Sequence, residues 1–353
     1  MDCLGIINPV QNQQWNRFIN NHPNGRIYHT GEWKSILEES FNHLKGYYFV
    51  LHRNNVICAA LPIYFVHSWI TGKRFISIPF ATLCDPLVSS VDEMYFLFDG
   101  ILQFTKKFSI KQIEIRTVNC SQILKQTGIM SVSRYVHHYL LLDNNIENIY
   151  AKFHRTCIRQ RISRAQKSNI KINFSNSENE FYKFHNLYLI TRKRIGLPPQ
   201  PLLFIHNLWK KFNEQNQAKI VLAEKDNKTI AGLLLLLFKR TVTVEFAVVD
   251  KQYDSISPLH LLFWDSIKFA HREGYKCVDF GRTPVENSGL INFKNRWGTE
   301  SVKLNFFYFP ESSFRNQLKI ENSFSYKILN QMIRATPKFI LSPIGKMMYS
   351  HFS

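Results

Sequence analysis

The spacing of apolar and polar residues divides the chain into two stretches with the same order of elements. Residues 10–21 and 31–41 carry helical spacing, the second opened by Thr30 as a cap. "YYFVLHRNNVICAALPIYFV" then reads as two strands joined at Asn54-Asn55, a pair that tolerates positive φ and so favours a tight hairpin. A helix near 91–107, a strand at "KQIEIRT" and a strand at 134–142 complete the first stretch. The order then recurs with a basic helix over 146–168, a strand at 170–174, and helices near 178–194 and 201–214. Three strands follow, "AKIVLAEK", "TIAGLLLLLF" and "TVTVEFAVV", joined by the polar turns "DNK" and "KR", which is the pattern of an antiparallel meander. The next helix runs from Ser257-Pro258 to Glu273-Gly274, because proline suits the first helical position and glycine the C-terminus. Strand 276–280, a polar loop and strand 302–309 close the second stretch.

A chain of 353 residues exceeds one ordinary core of roughly 100–150 residues, and 45% hydrophobic content is ample for burial. Two α/β (α+β) units are therefore expected, residues 1–143 and 144–310, with a tail at 311–353. A meander, then one helix, then one more strand is the order of the GNAT acyltransferase fold, in which the central strands splay and an acyl donor enters the gap. The tail, "SYKILNQMIRATPKFILSPIGKMMYS", mixes apolar residues with Lys327, Arg334, Lys338 and Lys346 and almost no acids. That composition suits either an anionic lipid surface or packing back onto the protein.

Charge narrows the class of partner. The formal net charge of +19 implies a polyanion: nucleic acid, an acidic membrane or a phosphorylated substrate. Residues 151–215 hold thirteen Lys and Arg against three acids. There Ile158, Ile162 and Ala165 form one apolar stripe, leaving Arg159, Arg164 and Lys167 for a solvated face or an anion. Six cysteines without a C-x-x-C pair indicate neither a zinc site nor a disulfide framework, so no metal is expected and a reducing cytoplasm fits. The N-terminus lacks signal-peptide features, and the longest apolar run, Ile230–Phe238, falls short of the roughly 20 residues that span a bilayer. A cytoplasmic protein is expected, resting at most on the inner face of the membrane.

Four segments carry a family resemblance: "YHTGEWKSILEESFNH", "LPIYFVHSWITGKRFISIPF", "RTCIRQRISRAQKSNI" and "GYKCVDFGRTPVENSGLINFKNRWGTE". With them the chain resembles FemAB-type transferases from about residue 10 to 345, above all the FemAB-like GNAT proteins of exopolysaccharide and exosortase gene clusters. The resemblance implies two tandem GNAT-like domains with a cleft between them. It also implies transfer of an acyl or aminoacyl group to an amine or hydroxyl of a cell-envelope or exopolysaccharide precursor. It places Phe293 and Lys294 at the reaction centre. There a fixed ammonium would offset the negative oxygen of the tetrahedral species, a kind of interaction whose loss costs roughly 10²–10³ in rate. Phe293 and Trp297 would wall the site, and Arg282 at a strand end would grip a phosphate or carboxylate in a fork; a solvated lysine and a structural arginine are the plain alternatives. Glu245, on the strand face of Thr241, Thr243 and Ala247 and opposite Val242, Val244, Phe246 and Val248, is either a general base or half of an ion pair.

Departures from the family bear on the substrates. The turn "VVDKQYDSISPLHLL" has no glycine, so an ordinary cradle of backbone N–H groups for the pyrophosphate of acyl-CoA is not expected, and no tightly bound cofactor is. Aminoacyl-tRNA, the donor of Fem-type transferases, stands beside acyl-CoA, although the long helical-hairpin insertion of some Fem proteins is missing. Lys34 sits out of register, and "RIGLPPQP" lacks the arginine that grips a nucleotide-linked muropeptide. An anionic or lipid-linked saccharide is thus the expected acceptor. The competing class is a non-catalytic basic module that binds RNA or anionic membrane through residues 151–215.

Overall fold

A computed structural model describes residues 2–68, 72–110, 112–127, 129–310, 324–349 and 351. The chain divides into two compact units. One comprises Met1–Arg134, Lys303–Lys327 and Lys346–Ser353, the other Tyr135–Val302 and Ile328–Gly345. In the first, β1 (Asp2–Ile7), β2 (Leu44–Arg53), β3 (Val56–Ser68), β4 (Gly72–Ile76), β5 (Gln112–Thr117) and β12 (Glu300–Phe309) are neighbours in that order. All pairs are antiparallel except β4 with β5, joined by the crossover helix α3 (Val91–Thr105). Between β1 and β2 lie α1 (Gln13–Asn21) and α2 (Gly31–Ser40), and after β5 comes the short α4 (Ser121–Gln126). Thr30 caps α2 by accepting the Trp33 N–H, and Asn54 and Asn55 close the β2–β3 hairpin at φ of 51° and 62°.

The second unit repeats the scheme. Its strand order is β7 (Lys171–Ser175), β8 (Ala218–Lys225), β9 (Lys228–Phe238), β10 (Thr241–Val249), β11 (Cys277–Pro284) and β6 (Met130–Leu141, in this unit from Tyr135). Only β10 and β11 run parallel, with α9 (Pro258–Arg272) between them in sequence. Helices α7 (Glu178–Ile195) and α8 (Leu202–Glu214) precede the meander. The last strand of each series is exchanged. The strand expected to close the first stretch pairs with β11, and the one expected to close the second pairs with β5. Alternation identifies a strand and its buried face but is blind to its neighbour; Leu140 belongs to the second core and Phe307 to the first.

Three local expectations change. Residues 146–168 are not one helix: α5 (Ile146–Ala151) stops, a π-turn covers Arg155–Arg159, and α6 (Gln160–Gln166) follows. The His154 N–H donates to the Arg296 carbonyl (2.8 Å) and its Nδ1 accepts from the Cys157 N–H (3.3 Å). The resulting bend lets Phe153 pack edge-on against Trp264 and Trp297. After β11 the polar segment forms α10 (Ser288–Asn295), started by Asn287 accepting the Leu290 N–H (3.1 Å). In β10 a bulge at Glu245 shifts the register between Val244 and Phe246. Beyond it the faces swap, so Val249 joins Val242 and Val244 in the core while Phe246 packs on Tyr188 of α7.

Part of the expected tail, residues 311–323, 350 and 352–353, lies outside the described residues. Helices α11 (Phe324–Ala335) and α12 (Lys338–Tyr349) follow. Within the second unit, α11 approaches Gly196 so closely that a methyl there would lie 2.7 Å from the Asn330 carbonyl oxygen, and a methyl at Gly345 would overlap the Pro199 carbonyl. Ile333 and Leu341 are fully buried, worth about 2 kcal/mol each. These residues pack back onto the protein. Among the described residues no helix is long and apolar enough to cross a membrane.

The exchange of β6 and β12 predicts how fragments behave. Residues 1–134 joined by a short linker to 300–310 should unfold cooperatively in urea, because β12 supplies Phe307 to that core. Residues 1–143 alone should give a broad transition. Equal cooperativity of the two fragments would show that β12 is dispensable to the first unit.

Candidate functional site

The second unit contains a place where its sheet comes apart. β10 and β11 pair over only three residues, Thr241–Thr243 with Cys277–Asp279. Beyond them β10 bonds β9 and β11 bonds β6, so the two strands diverge. Each carries a bulge at the fork: Glu245 in β10, and Phe280 in β11, where the register with β6 shifts between Asp279 and Gly281. A bulge bends its strand and increases the local twist. Gly281 has a left-handed φ of 74°, which a residue without a Cβ adopts at little cost, and Phe280 turns inward to stack on Phe263 (5.1 Å between rings).

Lys294 is anchored at this fork. It projects from α10, is buried (7% exposed), and its Nζ donates to the carbonyls of Gly281 (3.0 Å) and Arg282 (3.3 Å). Burial lowers its pKa to about 8, with Asp279 pulling the other way. Asp279 organises the bulge beneath: its Oδ1 accepts from the Gly281 N–H (2.7 Å) and meets His137 Nε2 at 2.8 Å, both side chains buried. His138, on the next position of β6, is held to a pKa of about 4 by burial and then by the Lys294 charge, so its ring is neutral at pH 7. His137, His138 and Asp279 had no place in the sequence reading. The two histidines stand side by side in "YVHHY", but the carboxylate that pairs with one of them is 142 positions away.

The other candidate residues fall into separate groups. Arg282 is half-buried, its guanidinium 4.8 Å above the ring of Tyr135. Phe293 is half-buried and meets His260 edge-on (5.6 Å). Trp297 is fully buried among Phe153, Phe263, Phe280 and Phe293, so it supports Phe293 from within the core. Glu245 is half-buried at its bulge. Lys34 is buried in an ion pair with Glu38 (2.6 Å).

Arg164 belongs instead to the approach to α9, against which α6 packs, and Arg159 ends the π-turn just before α6. A 3₁₀ turn over Lys251–Ile256 ends at Ser257, left-handed at φ 58°, and Pro258 opens the helix. Proline has no N–H, and the His260 N–H turns back to the Ser257 carbonyl (3.1 Å), so few amides point outward. What this end offers is side chains. The Ser257 Oγ is buried without a hydrogen-bond partner, Arg164 Nη1 donates to the Ser255 carbonyl (3.2 Å), and the buried Nε of half-buried Arg159 has no partner. A phosphate at this end would meet the Ser257 hydroxyl and the exposed Arg164 guanidinium. Among the described residues no group of three or more His, Cys, Asp or Glu is placed to hold a metal ion.

The family model described as an acetyltransferase (GNAT) domain, Acetyltransf_6, matches residues 152–295, a range that includes the fork, α9 and Lys294. No curated protein sequence matches the chain. FemX superposes with a TM-score of 0.71 at 15% identity, over 87% of this chain and 96% of its own. The tandem GNAT protein from the clavulanic acid biosynthesis pathway gives 0.56 at 11% identity, over 87% and 98% of the two chains. L-PGS from Bacillus licheniformis gives 0.56 at 13% identity, over 86% and 96%. At these identities the likeness is one of fold, and the fold is the tandem GNAT arrangement.

The network at the fork makes Asp279→Asn informative. Removing the carboxylate removes the charge that supports the Lys294 ammonium, so the lysine should titrate below its present value of about 8. Following the Lys294 side-chain resonances by NMR against pH checks this. A midpoint that stays put or rises would show that Asp279 does not act on Lys294.

Proposed function

We propose that the chain, whose residues 152–295 match an acetyltransferase (GNAT) domain, is a FemAB-like acyltransferase, and that its second unit transfers an acyl or aminoacyl group to an amine or hydroxyl of a cell-envelope or exopolysaccharide precursor, at the inner face of the membrane. The observation that carries this reading is the desolvated ammonium of Lys294, which reaches from α10 to the β11 carbonyls just past the point where pairing with β10 ends. The donor's acyl group lies in the fork. The acceptor's amine or hydroxyl adds to its carbonyl carbon, the oxygen becomes negative, and the Lys294 ammonium offsets that charge where little water competes. Glu245 takes the acceptor's proton. On collapse the carbon–sulfur bond of an acyl-CoA breaks and the thiolate leaves. Arg282 grips an anionic group of a saccharide or lipid-linked acceptor, and Phe293 covers the ammonium.

GNAT domains use acyl-CoA, and the diphosphate of such a donor would meet Ser257, Arg159 and Arg164. The sparse amides at α9 favour a second reading of the donor, an aminoacyl-tRNA held by the same arginines, with a ribose oxygen as leaving group.

Lys294→Met should lower kcat by about 10²-fold while the thermal midpoint at pH 7 holds or rises. The stability sign follows from linkage. The native lysine titrates near 8, below its unfolded value, so the unfolded chain binds the extra proton between those two values. Wild-type stability should therefore gain a contribution as pH rises through that window, and the Met variant should lack it. Transfer by the wild type should fall as pH rises past about 8. Full activity of Lys294→Met, or a rate that climbs steadily through pH 9, would remove Lys294 from the chemistry.

Acetyl-CoA should bind weakly, with a Kd of about 0.1 mM or higher, since α9 lacks a backbone cradle. Calorimetry showing binding tighter than about 1 μM would favour a plain acetyltransferase.

A further inference from the structure

We propose that the second unit docks on an anionic lipid surface through a recess between the end of α7 and α11. The recess has a volume of about 490 Å³ and is lined by Ile190, Lys193, Arg194 and Arg334. Among the described residues three cations and no carboxylate line it, and none of the three forms an ion pair with a described residue. None of them belongs to the transfer site described above.

The backbone explains how like charges come to be gathered. Gly196 ends α7 in the left-handed conformation at φ 75°, and α11 lies so close that a methyl on Gly196 would be 2.9 Å from Arg334 Nε. Arg192, one turn position earlier, bends inward and donates twice to the Pro198 carbonyl (2.7 and 3.0 Å), fixing the turn. Lys193, Arg194 and Arg334 are left lining one recess, where an anion from outside would relieve their mutual repulsion.

The same elements expose apolar side chains. Ile195 at the end of α7 and Met332 on α11 are 38% and 63% exposed. Cations beside exposed aliphatic side chains match a lipid interface, where phosphates meet the first and acyl chains the second. A single-stranded nucleic acid would call for stacking surfaces, and among the described residues no aromatic side chain lines this recess. Arg159 and Arg164, which the sequence offers to a solvated face or an anion, take no part in this recess. The inference rests on the reading that the acceptor is carried by a membrane, but its test needs no turnover, so failure of the Lys294 experiments leaves it standing.

Flotation of the full chain with vesicles of phosphatidylcholine alone, or mixed equally with phosphatidylglycerol, tests the proposal. The wild type should bind the mixed vesicles and leave the neutral ones. Each cation near the surface contributes roughly fivefold in affinity, so Lys193→Ser with Arg194→Ser should weaken binding by about 25-fold, with an unchanged thermal midpoint. Met332→Ser should weaken binding also at high salt, where charge is screened. If the double variant fails to fold, Arg334→Gln on the other element is the variant to read, and competition on the wild type decides as well. Inorganic phosphate at millimolar level should leave vesicle binding intact, and release by it would mark a free-phosphate site and overturn the proposal. Equal binding to both vesicle types, wild-type binding by the variants, or loss of tRNA binding in their place would also overturn it.

Discussion

Everything at the candidate site depends on a parallel pair of strands that stops too soon. Had β10 and β11 stayed in register along their length, their facing edges would be saturated by each other's hydrogen bonds. Instead they pair over three residues, and bulges at Glu245 and Phe280 carry them apart. A bulge leaves one residue out of the ladder, which is a local cost, and here that cost opens an edge of polar backbone inside a well-packed unit. In the first unit β4 ends where its three pairs with β5 end, so the same topology leaves no fork there. The difference between two similar sheets is thus the length of strand that continues past the last shared pair.

The opened edge is used to hold a charge. A lysine buried among carbonyls and neutral rings would ordinarily surrender its proton; here Asp279 supports the ammonium and the carbonyls of Gly281 and Arg282 accept from it. Asp279 is itself fixed by the Gly281 N–H and His137. Gly281 is therefore the shared element, its N–H on the carboxylate and its carbonyl on the ammonium, and only its left-handed backbone brings both to bear. Rigid placement of this kind is what an electrostatic catalyst requires, because a charge that must reorient during the reaction loses most of its effect.

Packing around the site follows from aromatic bulk. Trp297 sits beneath α10 and touches rings from α9, β11 and the segment before the π-turn, which ties the helix carrying Lys294 to the crossover helix. The π-turn serves the same end: by breaking one long basic helix into two short ones, it admits Phe153 to that cluster and brings Arg164 to the turn before α9. Arg164, which looked like part of one charged face of a long helix, is in this way assigned to a helix terminus.

Much of the architecture was decided by the sequence alone. Period-two and helical spacing, the Asn54-Asn55 turn, the Thr30 cap and the Ser257-Pro258 start are local properties, since each depends on residues within a few positions of one another, and the structure contains all of them. The stripe of Ile158, Ile162 and Ala165 is buried for the same reason. The motif carrying Phe293 and Lys294 also stood out in the sequence, because its residues are contiguous. Tertiary structure decided what depends on distant partners. It exchanged β6 and β12, because strand neighbours are chosen by cores built from remote segments. It inverted the faces of β10 beyond Glu245, because one extra residue in a ladder is visible only against the partner strand. It joined His137 and Asp279 to Lys294, because a pKa is set by burial and by charges that the fold, and not the order of residues, brings within a few ångströms.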